Sequence, residues 1–381
     1  MKILFICENY LPHYGGAEVV FKNLAERYQK CGHQSTILTH QLKNTKKTEI
    51  INNVQVHRIP SLFSRYIFSF TAIPKAIKLA QQHDIIQTTT FNGAFPAWIA
   101  GKLTRKPVVI TIHEIWIGKW QDITGFSYFK SKIHSFLERM IYYLPFNYYI
   151  CVSDATKNDL LKQRGNNKNL TQNIQTVYNG LDYNFWNPAL ITENEIKKIR
   201  EKHQLDNHFT CFSWGRPGES KGFEYLIEAL PEVIKTIPNS KLLLLFGSKE
   251  QYQKKYRELL NLIEKLNLNK HIELLPKLSQ EELRAYIKAV DCIIVPSKAE
   301  GFGYTTVETS AIGTPIVISN AGSLPEVVSG KYQIFQSKNA ADLAKKIIKI
   351  NNKEYLETKP KRFEWNESIE KYLKVYQELI K

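Results

Sequence analysis

The stretch CIIVPSKAEGFGYTTVETSAIGTPIVIS, residues Cys292 to Ser319, holds one complete building block of the fold. CIIVPS is a short apolar run and reads as a strand ending at Ser297. After the loop KAEGFG, the segment YTTVETSAI reads as a helix stopped by Gly313 and Pro315. PIVIS reads as the strand that follows. Strand, loop, helix and strand in this order form the repeating element of a parallel α/β sheet.

Outward from that block the same alternation continues. FTCFSWG, KLLLLFG and IELLP precede it and YQIF follows it. An earlier series, KILFIC, STILTH, IIQTT, PVVITIH, YYICVS and IQTVYN, alternates with helix-period stretches such as AEVVFKNLAERYQKC. The Pro- and Asn-containing segment NGLDYNFWNPAL separates the two series. Two such series predict two Rossmann-like, doubly wound α/β domains, residues 1–185 and 186–362. The 381 residues, 43% apolar, also exceed what one ordinary core holds. Ligands are then expected at the carboxyl ends of the strands, in the cleft between the domains. The closing FEWNESIEKYLKVYQELI is an amphipathic helix with no strand after it, free to pack elsewhere.

Composition narrows the class. Five cysteines, Cys7, Cys31, Cys151, Cys211 and Cys292, are odd in number and lack C-x-x-C spacing, and four lie in apolar runs. They read as small buried hydrophobes in a reducing compartment. MKILFIC is too short for a signal sequence, and no uncharged run reaches membrane-spanning length, so a cytoplasmic location is expected. The net charge of +16 is concentrated early: Lys and Arg number 22 against 11 Asp and Glu up to Phe185, and 30 against 25 afterwards. Such an excess is either a Lys-rich solvated surface or an attraction for a polyanion, a nucleic acid or an anionic membrane face.

Candidate chemistry sits at the strand ends. Gly301 and Gly303 let a ligand approach the backbone, and the helix that begins at Tyr304 offers unpaired N–H groups to an anion, so this loop reads as a phosphate seat. Glu300 on the loop and Glu308 one turn into the helix can hold two different hydroxyl-bearing groups of one ligand. In GRPGESKG, after strand FTCFSWG, Arg216 and Lys221 suit a diphosphate that needs charge compensation as it departs. In NYLPHYGGAE, Gly15 and Gly16 at the mouth of a helix form either a plain turn or a backbone approach to phosphate. The dinucleotide fingerprint G-x-G-x-x-G is absent and the second strand ends in His40, which disfavours a nicotinamide enzyme. TIHE places His113 and Glu114 at a strand's carboxyl end, where His113 is structural or functional. In VSDATKNDLL, Ser153 or Asp154 is first of all a helix N-cap.

Taken in order, GGAE, VSDAT, YNGLD, the GR to KG pair, the E-x7-E of EGFGYTTVE and GSLPEVV resemble the family 4 retaining glycosyltransferases of the GT-B fold. The resemblance implies two Rossmann-like domains facing a central cleft, a nucleoside-diphosphate sugar as donor, no cofactor and no obligatory metal. It implies that Glu308 holds the ribose hydroxyls and Glu300 those of the transferred sugar. Phe302, Gly303, Tyr304 and Thr305 would offer main-chain N–H groups, with Gly301 in the same loop. Arg216 and Lys221 would clamp the diphosphate, Gly16 beside Gly15 would meet it from the other domain, and His113 would touch the sugar. Leu275, Pro276 and Lys277 look like the base-binding edge. Residues 363–381, led by Trp365, would pack back onto the N-terminal acceptor domain. Ser323 and Leu324 stand in a loop that is often more glycine-rich in the family.

The expected reaction is transfer of a hexose-type sugar to a lipid-linked or membrane-proximal glycan, in cell-surface polysaccharide synthesis. From Phe126 to Tyr149, FSYFKSKIHSFLERMIYYLPFNYY interleaves aromatics with Lys130, Lys132 and Arg139. It reads either as a membrane-interface helix or as core aromatics before strand YYICV. Rival readings are a same-fold sugar-nucleotide epimerase, a retaining disaccharide phosphorylase, and a basic nucleic-acid binder for which the sequence has no specific motif. A glycoside hydrolase using Glu300 and Glu308 is disfavoured, since the two sit on separate elements and serve hydroxyl recognition.

Overall fold

The computed structural model describes residues 1–13, 15–60, 65–165, 173–247 and 249–381. Tyr14, within the NYLPHYGGAE stretch, lies outside the described residues. The chain divides into two compact units: Met1–Gly118 with Phe129–Gly180 and Phe363–Lys381, and Lys119–Tyr128 with Leu181–Arg362. Lys119–Tyr128, which falls inside the 1–185 expectation, thus groups with the second unit, and the chain passes between units at Gly180 rather than Phe185.

The first unit is built on eight strands: β1 (Lys2–Ile6), β2 (Gln34–His40), β3 (Thr48–Ile51), β4 (Val54–Ile59), β5 (Ile85–Thr89), β6 (Val108–Ile112), β7 (Tyr148–Cys151) and β8 (Ile174–Thr176). They lie in the order β3-β4-β2-β1-β5-β6-β7-β8, with every pair parallel except β3 and β4. Central strands are covered on both faces, so β5 and β6 are buried throughout and read as continuous runs rather than alternating ones. The β3–β4 hairpin escapes the sequence reading. Its turn is Asn52-Asn53, both left-handed at φ 48° and 65°, the geometry that tight hairpins require. That Asn pair between two β-branched runs was the available signal.

The order reverses beside β1, which pairs with β2 on one side and β5 on the other. This switch point opens a crevice at the carboxyl ends of the two strands. The C-terminal helix Trp365–Ile380 belongs to this unit. Tyr376 donates to Gln87 Oε1 at 2.7 Å, Ser368 Oγ donates to the Tyr178 carbonyl at 2.7 Å, and the Tyr28 and Tyr376 rings lie 5.8 Å apart. A Cβ at Gly180 would lie 2.4 Å from the Trp365 ring, so only glycine admits that indole.

The second unit contains β9 (Phe209–Gly215), β10 (Ser240–Phe246), β11 (Ile272–Leu275), β12 (Cys292–Val295), β13 (Ile316–Ser319), β14 (Gly330–Phe335) and β15 (Leu356–Thr358). Their order is β11-β10-β9-β12-β13-β14-β15, parallel but for the edge strand β15. All three β15 residues are exposed, so neither alternation nor an apolar run marks it in the sequence. The reversal here lies between β9 and β12, the strands that lead into GRPGESKG and KAEGFG. In both units the apolar runs became strands and the helical stretches between them became helices. Cys7, Cys151, Cys211 and Cys292 are buried free thiols, and Cys31 is exposed.

Candidate active site

In the second unit, the loops after β9 and β12 are fastened to one another. Gly222 is left-handed at φ 63°, and a Cβ there would lie 2.2 Å from the Pro296 carbonyl oxygen. Lys298 N–H donates to the Ser220 carbonyl at 2.7 Å. The Lys298 ammonium, almost wholly buried, pairs with Glu224 at 3.2 Å and Glu219 at 3.6 Å, and Lys255 joins Glu219 at 2.7 Å and Glu224 at 3.5 Å. Sequence reading missed Lys298, Lys255 and Gly222, because each acts across a long separation in the chain. Lys119–Tyr128 meets this block as well, with Gly125 set against Glu219 and Asp122 paired to Lys338 at 2.6 Å.

On this support Lys221 is ion-paired with Glu300, whose Oε1 also accepts from Ser297 Oγ at 2.9 Å. The Glu300 carbonyl accepts from Ser323 N–H at 3.2 Å and Ser323 Oγ at 3.3 Å. Gly322, left-handed at φ 53°, would place a Cβ 2.2 Å from that carbonyl oxygen, so glycine is needed one residue before Ser323. Glu308 retains some solvent contact, yet protein atoms crowd its carboxyl, and this burial pushes it up to about 8 against the downward pull of the Lys221 charge. Lys221 thus pairs directly with Glu300 and acts on Glu308 only through its charge. Arg216 is exposed at the end of β9 and makes no ion pair among the described residues.

The helix at Tyr304–Ile312 begins after Gly303, left-handed at φ 80°, where a Cβ would lie 2.7 Å from Leu324 Cδ2. Thr306 and Val307 N–H groups donate to the Gly303 carbonyl at 3.0 and 3.2 Å. The N–H groups ahead of them lie before the intrahelical ladder, as at any helix start. Phe302 is buried with its ring 5.1 Å from that of Tyr304, which fixes the loop's course beside Gly301. Thr305 is half-buried in the first turn. Leu275 is buried at the end of β11 and Pro276 and Lys277 are exposed, two strands away from β9.

In the first unit, Gly15 caps the helix Gly16–Lys30 without a side-chain hydrogen bond. A Cβ at Gly15 would lie 2.4 Å from Glu18 Oε2, whereas one at Gly16 would meet nothing within 4 Å. Burial acts to raise the Glu18 carboxyl, but hydrogen bonds from His13 and its own N–H, with the charge of His13, hold it below its usual value. His113 follows β6 and packs against Phe21 with ring centres 6.2 Å apart. Burial pushes its imidazole down to about 4 against the opposing Glu18 charge, so it is neutral at physiological pH. Its Nε2 is buried without a hydrogen-bond partner among the described residues, the kind of atom a ligand hydroxyl would satisfy.

Three other candidate residues make local structural bonds. Ser153 Oγ accepts from Thr156 N–H at 3.1 Å as the N-cap of Asp154–Arg164, and Asp154 accepts from Thr176 and Tyr178 at 2.5 and 3.0 Å. Glu114 accepts from the Trp116 indole N–H at 2.6 Å and is turned to that local bond.

Loop cations, carboxyls and a glycine-led helix start thus stand at the switch point of a parallel sheet, where open α/β sheets hold their ligands. The whole chain superposes on Anabaena HepE, solved in complex with UDP and glucose, with a TM-score of 0.78 at 20% identity and 100% coverage of both chains, so its fold is GT-B. The family model described as Glycosyltransferase Family 4 matches residues 14–185, and that described as Glycosyl transferases group 1 matches residues 195–371. An uncharacterized glycosyltransferase of Methanocaldococcus jannaschii is 28% identical over 100% of this chain and 99% of its own length. The alpha-monoglucosyldiacylglycerol synthase of Streptococcus pneumoniae is 25% identical over 87% of this chain and 74% of its own length. The chain belongs to the group 1, family 4 glycosyltransferases and is a sugar-transferring enzyme.

Proposed function

We propose that the protein is a retaining glycosyltransferase that moves a hexose-type sugar from a nucleoside-diphosphate sugar to a lipid-linked or membrane-proximal glycan acceptor, acting at the cytoplasmic face of a membrane. The observation that carries it is the braced pair of loops in the second unit, which pairs Lys221 with Glu300 and leaves its charge acting on the buried Glu308 at the β9/β12 switch point. In this reading Glu308 binds the ribose hydroxyls and Glu300 the hydroxyls of the transferred sugar. Arg216, Lys221 and the helix start at Tyr304 stabilise the diphosphate as charge grows on it. Gly301, Phe302, Gly303 and Thr305 line the phosphate and sugar, and Leu275, Pro276 and Lys277 contact the base. Gly15 and Gly16 approach the phosphate, and the neutral His113 offers Nε2 to a sugar hydroxyl. UDP and glucose bound to HepE, and the monoglucosyldiacylglycerol that the streptococcal relative is named for synthesising, support a UDP-type donor and a lipid acceptor.

Because side chains and backbone supply the compensating charge, activity should persist in excess EDTA. A thermal-shift panel of nucleoside diphosphates and nucleotide sugars identifies the donor, since ligand binding to the native state raises the melting temperature. Product analysis with the stabilising donor then tests the reaction. A new glycoside with the donor's anomeric configuration is expected. Epimerised donor in the absence of acceptor, or sugar phosphate formed on addition of inorganic phosphate, would overturn the assignment.

A further inference from the structure

The helix Tyr128–Tyr143 is turned inside out relative to an ordinary surface helix. Its inward face carries Ser131, Glu138 and Tyr142, the last two only 2% and 1% exposed. Glu138 is held there by Trp116 N–H at 2.8 Å and Tyr142 Oη at 2.9 Å. Its outward face carries Phe129, Ile133, Phe136, Leu137 and Met140, spaced i, i+4, i+7, i+8 and i+11, so they form one stripe. Phe129 is 74% and Phe136 63% exposed. The core-aromatic reading of this stretch therefore holds for Tyr142 and, beyond the helix, for Phe146 and Tyr149, but fails for Phe129 and Phe136.

Tyr66 beside the helix, and Phe70 in the short helix Phe68–Thr71, are exposed as well. Tyr66 packs 6.3 Å from His134, and one turn further Phe70 is 65% exposed with its ring 5.7 Å from Phe95. Phe95 leads to Trp98, over which Lys102 lies 5.2 Å from the ring centre. Contiguous apolar surface of this kind on a folded protein marks an interaction site.

Charge decides the partner. Lys130, Lys132 and Arg139 are exposed and flank the stripe, while Glu138, the helix's lone carboxylate in the sequence, is buried. A second copy would bring the same cations against these, at a repulsive cost, whereas anionic headgroups complement them. At 16 residues the helix is about 24 Å long, suited to lying in the plane of an interface. No helix among the described residues is long and apolar enough to cross a membrane. We propose that this face docks the protein on an anionic lipid bilayer, with Phe129, Ile133, Phe136, Leu137 and Met140 in the headgroup and acyl boundary and Lys130, Lys132 and Arg139 at lipid phosphates. This deepens the membrane-proximal part of the proposed function, yet it needs no transfer reaction to be tested.

The test is flotation of the full chain with acceptor-free vesicles, either pure phosphatidylcholine or phosphatidylcholine with phosphatidylglycerol, at low and high salt. The wild type is expected to float only with the anionic vesicles and to be released by salt. Lys130→Glu with Lys132→Glu, and separately Phe129→Ser with Phe136→Ser, should each weaken binding tenfold or more. Circular dichroism and UDP binding should be unchanged in both, which separates loss of docking from loss of the donor site or the fold. Equal binding to both vesicle types, binding to neither, or binding insensitive to both double substitutions overturns the proposal. So does a protein dimer that the Phe129→Ser and Phe136→Ser pair dissolves, since the stripe would then be covered by a second copy.

Discussion

Glu308 and Glu300 look alike in the sequence, but their surroundings give them different chemistry. Glu300 is committed to Lys221 and Ser297, while burial holds Glu308 near 8 and mostly protonated at neutral pH. A carboxyl raised above its ordinary 4.5 favours the native state below that value and loses the advantage as pH climbs towards 8. Glu308→Gln should therefore melt higher than wild type at pH 8 to 9, with the gap closing below pH 5 in scanning calorimetry. The same variant should bind the nucleotide-sugar donor more weakly by about 1.5 to 3 kcal/mol, because two donor hydroxyls draw the carboxyl into its ionised form on binding, and an amide oxygen replaces only part of that pair of hydrogen bonds. Donor affinity that is unchanged by calorimetry removes the ribose role. Arg216, exposed and unpaired among the described residues, is available for an anion whose charge grows in the transition state. Arg216→Ala should lower kcat roughly 100-fold with a smaller change in donor KM, and Arg216→Lys should not restore it, since a point charge lacks the planar fork. Near-normal turnover in the folded Ala variant would place the diphosphate contact elsewhere.

At the scale of elements, the site depends on how two loops brace each other. The glycines that matter are therefore not interchangeable. Gly222 sits in left-handed backbone against the Pro296 carbonyl, so Gly222→Ala must push the β9 and β12 loops apart. It should cost about 1 to 3 kcal/mol in chemical denaturation and weaken donor binding with it. Gly16→Ala meets open space at a helix start, so its stability should stay within about 0.5 kcal/mol of wild type. Any loss of turnover in Gly16→Ala then reports on close approach of the phosphate rather than on folding. A Gly222→Ala protein as stable as Gly16→Ala would show that the loops are not fastened as described. The strand-to-helix loop at KAEGFG was legible because its glycines, helix and flanking strands are adjacent in the chain. Lys298 and Lys255 were not, since lysines on loops and helices give no local sign that distant glutamates await them.

For the whole molecule, the last residues of the chain complete the first unit. Trp365 is buried against Gly180, and Tyr372 and Tyr376 reach Thr111 at 3.0 Å and Gln87 at 2.7 Å among the central strands. Trp365→Ala should destabilise that unit by about 3 to 5 kcal/mol, the cost of emptying a large core site, although it lies nearly two hundred residues from its neighbour Gly180. Denaturation followed by near-UV circular dichroism gives the value, and a change below about 1 kcal/mol would mean that the helix only rests on the surface. The amphipathic pattern of FEWNESIEKYLKVYQELI announced a buried face without saying which strands it covers.

By itself the sequence determined the two parallel sheets, the strand ends where the chemistry gathers and the family motifs, because apolar periodicity and turn residues act between near neighbours. Strands β3, β4 and β15 were missed for the same reason: two depended on the conformation of an Asn pair and one is exposed on every residue. Only the tertiary structure decided that Lys221 pairs with Glu300, that His113 is neutral with an Nε2 unsatisfied among the described residues, and that the Tyr128–Tyr143 helix shows Phe129 and Phe136 to solvent while burying Tyr142. Burial and charge proximity set these properties, and both come from residues brought together by the sheet rather than by the chain. A helix stripe of Phe, Ile, Leu and Met has the same spacing whether it faces a core or a membrane. What separates the two here is the buried Glu138, whose partners Trp116 and Tyr142 claim the opposite face for the protein interior.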